Sequence, residues 1–144
     1  MKDWDEVSFD KGPANYEPLS PVSFLDRTAQ VYPEKIAWIY GSQRINYREF
    51  SERCHRLASA LSRRGVGPGD TVAVLAPNIP PLLEAHFGVP MAGAVLNAIN
   101  IRLESATVAY ILTHSEAKVL IADREFSDMA RRAIELIEMP PIVI

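Results

Sequence analysis

A single cysteine, Cys54, stands in 144 residues, which excludes an intramolecular disulfide and a cysteine-rich metal site. Positive charge is not in excess. Lys and Arg number 15 against 18 Asp and Glu, a formal net charge of -3, so a nucleic-acid partner would find no basic footprint. No apolar run is long enough for a transmembrane helix, and the opening MKDWDEVSFD is too acidic and polar for a secretory signal. The expected location is therefore the cytoplasm. No Gly/Ser/Thr-rich loop carries a lysine, so no phosphate loop, catalytic residue or metal-ligand set is assigned. The stretch Gly65-Val66-Gly67-Pro68-Gly69-Asp70 is no substitute, because it follows a helix and precedes a strand. A dinucleotide fingerprint has the opposite order. It reads as a helix stop and turn, with Gly65 in the left-handed conformation.

What is present is an ordinary globular balance, 48% hydrophobic and 23% charged residues, with room for one domain or part of a larger one. The chain is organised around residues 71–103. Val72-Ala73-Val74-Leu75 is a short apolar run between Gly69-Asp70 and Pro77-Asn78, the pattern of a buried strand. Asn78 is the expected cap of the following helix, with Pro80 or Pro81 in its first turn, and the helix extends from about Ile79 to Ala92. Pro90 should bend it or end its regular part, since its ring removes one backbone bond. Ala94-Val95-Leu96 then forms a second apolar run. Strand, helix and strand in so short a span make a parallel crossover unit.

Upstream, residues 1–19 read as an irregular arm and 20–144 as the start of a larger domain. Ser20-Pro21 opens a helix to about Val31, with Val22, Leu25, Ala29 and Phe24 as its inward candidates. Residues 36–40 and 43–46 flank Gly41-Ser42, a hairpin on an edge or a small separate sheet. A helix from Tyr47 to Arg64 carries a capping box, Asn46 with Glu49, and a stripe of Phe50, Cys54, Leu57, Ala58 and Leu61. Cys54 on that stripe reads as a small buried hydrophobe. Downstream come a helix over 103–114, a strand over 118–122, a helix over 127–138 with Met129 or Ala130, Ala133, Ile134 and Ile137 inward, and a fourth apolar run over 142–144. His55, His86 and His114 lack orienting partners in the pattern and receive structural readings.

The fold class is α/β, a partial doubly wound parallel sheet with flanking helices plus a small N-terminal β-hairpin. The string VAVLAPNIPPLLEAHFGVPMAGAVLNAINIRL resembles the early segment of acyl-adenylate-forming enzymes, the superfamily of acyl-CoA synthetases, adenylation domains and luciferases. The resemblance extends upstream through INYREFSERCHRLASALSRRGVGPGD and downstream through VAYILTHSEAKVLIAD. It implies a truncated part of a larger adenylate-forming fold, most like a fatty-acid or small-acid CoA ligase. The reaction it implies needs ATP, Mg²⁺ and CoA. A carboxylate attacks the α-phosphate to give an acyl-adenylate, and a thiol then displaces AMP. The family's phosphate loop, ribose Asp and mobile Lys come later in the chain and have no match here, so the segment alone is expected to be inactive and to bind none of these groups tightly. The remainder of the same polypeptide is the expected partner, with homodimerisation left open.

Two positions are carried over from CoA-forming members. The loop Asn100 to Arg102 and the residue Arg124, just after a strand, correspond to places near the CoA nucleotide, where a guanidinium can make bidentate bonds to phosphate. Solvated arginines are the competing reading. Two other functions fit the same fold class, a free-standing flavodoxin-like nucleotide-binding module and a non-catalytic interaction domain that pairs through an open sheet edge.

Overall fold

The computed structural model describes Gly12, Tyr16 and residues 20–144; the arm expected over 1–19 otherwise lies outside the described residues. The elements in chain order are α1 (Pro21–Val31), β1 (Ile36–Tyr40), β2 (Gln43–Asn46), α2 (Tyr47–Ser62), β3 (Thr71–Leu75), α3 (Pro80–Met91), β4 (Val95–Ala98), α4 (Ser105–His114), β5 (Ala117–Ala122), α5 (Ser127–Ile134) and β6 (Ile142–Val143). β1 and β2 form an antiparallel pair apart from the main sheet, turning through Gly41 at φ 57°. The other four strands are parallel and lie in the order β4, β3, β5, β6.

The alternation of β3 explains the layers. Val72 and Val74 face one way, into a cluster with Leu61, Ala85, Val89 and Val119 under α2 and α3. Ala73 and Leu75 face the other way, among Val108, Leu112, Leu120 and Ala133 under α4 and α5. Both faces of the strand are buried, which is why its sequence shows no polar alternation. A third cluster, Leu25, Phe50 and Cys54, joins α1 and the hairpin to the outer side of α2. Phe50 meets Phe87 edge-on at 5.3 Å between ring centroids.

The helices follow their local signals with three exceptions. The capping box of α2 forms as expected, with Asn46 Oδ1 accepting from the Glu49 N–H at 2.9 Å. Asn78, however, does not cap α3; Ile79 occupies the cap position and no side chain bonds the first turn. Pro80 and Pro81 explain this, because residues without N–H groups leave few donors to satisfy. Phe24 is exposed rather than inward, and Leu25 is the buried residue of α1. Helix α5 stops at Ile134, four residues short of the expected end. Leu136 N–H and Ile137 N–H bond three residues back, to Ala133 O and Ile134 O, which tightens the chain out of the helix while Ile137 still reaches the core. Pro90 lies in the last turn of α3, which ends one residue later.

Helices α2 and α3 approach closely at Gly88, where an added Cβ would lie 2.9 Å from the Cys54 carbonyl oxygen and 2.9 Å from Leu57 Cδ2. One turn away, Arg53 grips the buried Glu84 side-on through one edge of its guanidinium, Nε to Oε1 at 2.5 Å and Nη2 to Oε2 at 3.3 Å. At the amino end of the sheet, Lys118 Nζ donates to Gly65 O at 2.6 Å and to Asp70 Oδ2 at 2.9 Å, while Gly67 N–H donates to the same carboxylate at 2.8 Å. These bonds tie the turn after α2 to β5. Gly65 takes φ 77°, as its place after a helix requires.

Candidate functional site at the carboxyl edge of the sheet

β3 is the first of the four parallel strands in sequence and lies between β4 and β5, so the chain reverses its winding direction beside β3. In open α/β sheets the crevice at such a reversal, outside the carboxyl ends of the strands, is where ligands bind. Three loops converge there. Residues 76–79 follow β3, residues 99–104 follow β4, and Asp123 with Arg124 follow β5. Backbone bonds hold the outer two against the end of β3, Ile99 N–H to Val74 O at 2.9 Å and Asp123 N–H to Leu75 O at 2.9 Å.

The structure brings Asn100, Arg102 and Arg124 to this one edge, on either side of β3. Asn100 Oδ1 accepts from the Arg102 N–H at 2.9 Å, a local turn that fixes where the arginine leaves the backbone. Asp123 Oδ1 accepts from the Glu125 N–H at 2.9 Å and so caps a short 3₁₀ turn, Arg124–Phe126. Ser127 Oγ donates to Arg124 O at 2.9 Å. All three predicted residues are exposed, and among the described residues neither arginine forms an ion pair. The strands that lead into the two arginines, β4 and β5, stand two strand spacings apart, about 10 Å, so the two basic residues reach the edge from opposite sides of β3.

Cys54, Arg53, Glu84 and the three histidines, all away from this edge, have structural settings. Cys54 is fully buried, and burial first, then the nearby Glu84 carboxylate, push its thiol up to about 12. Such a group is no nucleophile. Glu84 raises the already basic Arg53 guanidinium through their side-chain hydrogen bond. Sequence reasoning missed this pair, although a lone carboxylate in the apolar stretch Leu82 to Val89 was a visible signal. His55 is exposed as expected, but Nε2 lies 3.0 Å from Asp26 Oδ1 and links α2 to α1. His86 Nδ1 bonds Leu82 O at 2.8 Å on the surface of α3, and His114 stacks on Tyr110 at the end of α4. Among the described residues no three His, Cys, Asp or Glu side chains gather where a metal ion could sit, and no helix is long and apolar enough to cross a membrane.

Known proteins share this sequence and fold. The chain is 51% identical over 136 residues to the peroxisomal acetate/butyrate–CoA ligase of Arabidopsis thaliana, a match over 94% of this chain and 24% of that one. It is 48% identical to the peroxisomal trans-cinnamate:CoA ligase of Petunia hybrida, over 86% of this chain and 22% of that one. Among solved structures, a benzoate CoA ligase from Burkholderia xenovorans superposes with a TM-score of 0.78 at 31% identity, over 85% of this chain and 25% of that chain. The chain thus spans about a quarter of the length of these relatives. The expected cytoplasmic location does not stand, because both plant relatives are peroxisomal enzymes and the lone reduced cysteine that suggested cytoplasm is equally at home there. The model for AMP-binding enzymes matches residues 25–143, nearly the whole described sheet with its helices, and the chain belongs to that family.

Proposed function

We propose that these residues form the N-terminal part of the large domain of an ATP-dependent acyl-CoA synthetase. The observation that carries this reading is the match over 94% of the chain, at 51% identity, to only 24% of an acetate/butyrate–CoA ligase. In the longer enzyme a carboxylic acid is activated as its acyl-adenylate and handed to the thiol of CoA. The acid is a small monocarboxylate, for which the names of the plant relatives, acetate or butyrate and cinnamate, are the guide. The enzyme works in the peroxisome, as those relatives do.

The residues present fit one of the three groups such a reaction needs. No described cluster of carboxylates suits Mg²⁺ and the sequence has no Gly/Ser/Thr-rich lysine loop for ATP, so both belong to polypeptide beyond these residues. CoA fits better. The guanidinium groups of Arg102 and Arg124, with the Asn100 turn that orients the first, offer bidentate donors to its 3′-phosphate and pyrophosphate. Their role is to bind and orient the nucleotide end of CoA, leaving the thiol to reach the reacting carbonyl.

The test is acid-dependent exchange of pyrophosphate into ATP by the full-length chain, with acetate, butyrate, benzoate and cinnamate compared. Exchange with at least one acid is expected, and none from residues 1–144 alone. Absence of exchange from the full chain with every acid would refute the reading. Within it, Arg124→Ala should raise the apparent KM for CoA by about 10-fold, one lost charged hydrogen-bond pair at roughly 1.4 kcal/mol, while leaving exchange unchanged. Unaltered CoA kinetics would remove Arg124 from the site.

A further inference from the structure

Arg102 and Arg124 leave the sheet through turns of one design. Shortly after each strand a side-chain oxygen accepts the N–H two positions on, Asn100 Oδ1 from Arg102 and Asp123 Oδ1 from Glu125, both at 2.9 Å. Leu103 and Phe126 then plug the two loops into the apolar cluster under α4 and α5. Arg124 lies inside its turn. On its amino side Asp123 N–H is bonded to Leu75 O, and Phe126 N–H closes on Asp123 O at 2.9 Å. On its carboxyl side the Arg124 carbonyl accepts from both the N–H and the Oγ of Ser127. The backbone at the root of this side chain is therefore fixed from both directions.

Its tip is free. Arg131 and Arg132, on the helix that follows, are tied to the carboxylate and the carbonyl of Asp128, whereas no hydrogen bond or ion pair among the described residues holds the Arg124 guanidinium. An arginine gives up rotamer freedom when it grips a ligand, and a fixed root lowers that cost. The charge of Asp123 gains nothing beside a phosphate, which a carboxylate repels. Asn100 makes the same turn with a neutral amide. What Asp123 supplies is an acceptor for the Glu125 N–H.

We propose that Asp123 is a positioning residue for CoA: it holds closed the turn from which Arg124 reaches the nucleotide, and touches no substrate itself. This rests on the reading of Arg124 as a CoA contact and adds the group that keeps that contact aimed. Without the acceptor the turn opens to other backbone conformations, and only the fraction still closed presents the guanidinium to the ligand. Loss of a capping acceptor ordinarily shifts such an equilibrium by about 5-fold, so the apparent affinity for CoA falls by about 2- to 5-fold. Adenylate formation, which precedes the arrival of CoA, is untouched.

The experiment uses the full-length chain and compares Asp123→Ala, Asp123→Asn, Arg124→Ala and the double change Asp123→Ala with Arg124→Ala. Apparent KM for CoA, kcat and acid-dependent pyrophosphate exchange are measured for each. Expected for Asp123→Ala is a KM for CoA raised by about 2- to 5-fold with kcat and exchange unchanged. Asp123→Asn, which keeps the acceptor, should match the native enzyme, and in the Arg124→Ala background the loss of Asp123 should add nothing. A native KM in Asp123→Ala overturns the proposal, as does a defect in Asp123→Asn as large as that of Asp123→Ala. A further rise in the double variant overturns it too, because Asp123 would then act without Arg124, and so does loss of exchange in Asp123→Ala, the mark of a merely structural residue. Arg124→Ala tells the two failures apart: a raised KM there with none in Asp123→Ala sinks the positioning role alone, and native CoA kinetics in Arg124→Ala sink the CoA contact and the positioning role together.

Discussion

Replacing Gly88 by Ala puts two known effects in opposition. In a helix interior alanine is favoured over glycine by about 0.8–1.0 kcal/mol, so an open site would gain stability. Gly88 is not open. Its added Cβ would stand 2.9 Å from the Cys54 carbonyl oxygen, and 2.9 and 3.0 Å from Leu57 Cδ2 and Cβ. Leu57 can turn aside at its tip, but the carbonyl belongs to the hydrogen-bonded backbone of α2 and cannot. Relief requires the two helices to part by about half an ångström, which stretches the Arg53–Glu84 pair one turn away and loosens Leu57 and Val89 beneath. Overpacking of this kind costs about 1–3 kcal/mol, and a backbone carbonyl that cannot yield puts the cost at about 2–3 kcal/mol before the helical gain is subtracted. The net expectation for G88A is a loss of about 1–2 kcal/mol, or roughly 3–6 °C in Tm for a chain of this size. Urea and thermal unfolding followed by far-ultraviolet circular dichroism would measure it. Gly67, where an added Cβ meets nothing within 4 Å and φ is not positive, is the control, and G67A should be neutral or slightly stabilising. A G88A protein as stable as the native one would refute the close-approach argument.

Three further outcomes follow from side chains already placed. Arg53→Met leaves the Glu84 carboxylate buried without its partner and should cost about 1–3 kcal/mol, a range lowered because the arginine is partly exposed; the double change Arg53→Met with Glu84→Leu should recover most of it in the same unfolding assay. Cys54 should resist a thiol reagent at neutral pH until the protein unfolds, so labelling at a rate independent of denaturant would contradict its burial. Asp70 is held below the usual carboxylate range by the hydrogen bond from Lys118 and then by that from the Gly67 N–H. A carboxylate depressed in this way stabilises the fold above its ordinary value, about 3.9, and loses that contribution as pH falls through its lower folded value. Asp70→Asn should therefore weaken the protein at neutral pH, with the difference vanishing in acid; a deficit that persists in acid would show that charge is not the cause.

Much of this architecture was legible in the residues, and the illegible parts share a cause. The buried strands announced themselves as short apolar runs, α2 by its stripe and capping box, the hairpin by Gly41-Ser42, and the inertness of Cys54 by its place on that stripe. These are signals carried by neighbours in sequence. What escaped depends on distant partners. Nothing local says that Arg53 would find Glu84, 31 positions away, or that Gly88 would touch the Cys54 carbonyl. Asn78 failed as a cap because two prolines had already removed the donors, and α5 stopped early although its inward periodicity continued to Ile137. The placement of Asn100, Arg102 and Arg124 at one edge came from resemblance and strand polarity together. Their separation across β3 needed the strand order, which no periodicity encodes.

That order also bears on how the sheet is made. Because β3 emerges from the ribosome before its sheet neighbours yet ends between them, both of its edges are on offer as β4 and then β5 are synthesised. The most deeply buried strand of the sheet is thus its earliest template, and each later strand has a finished edge to join.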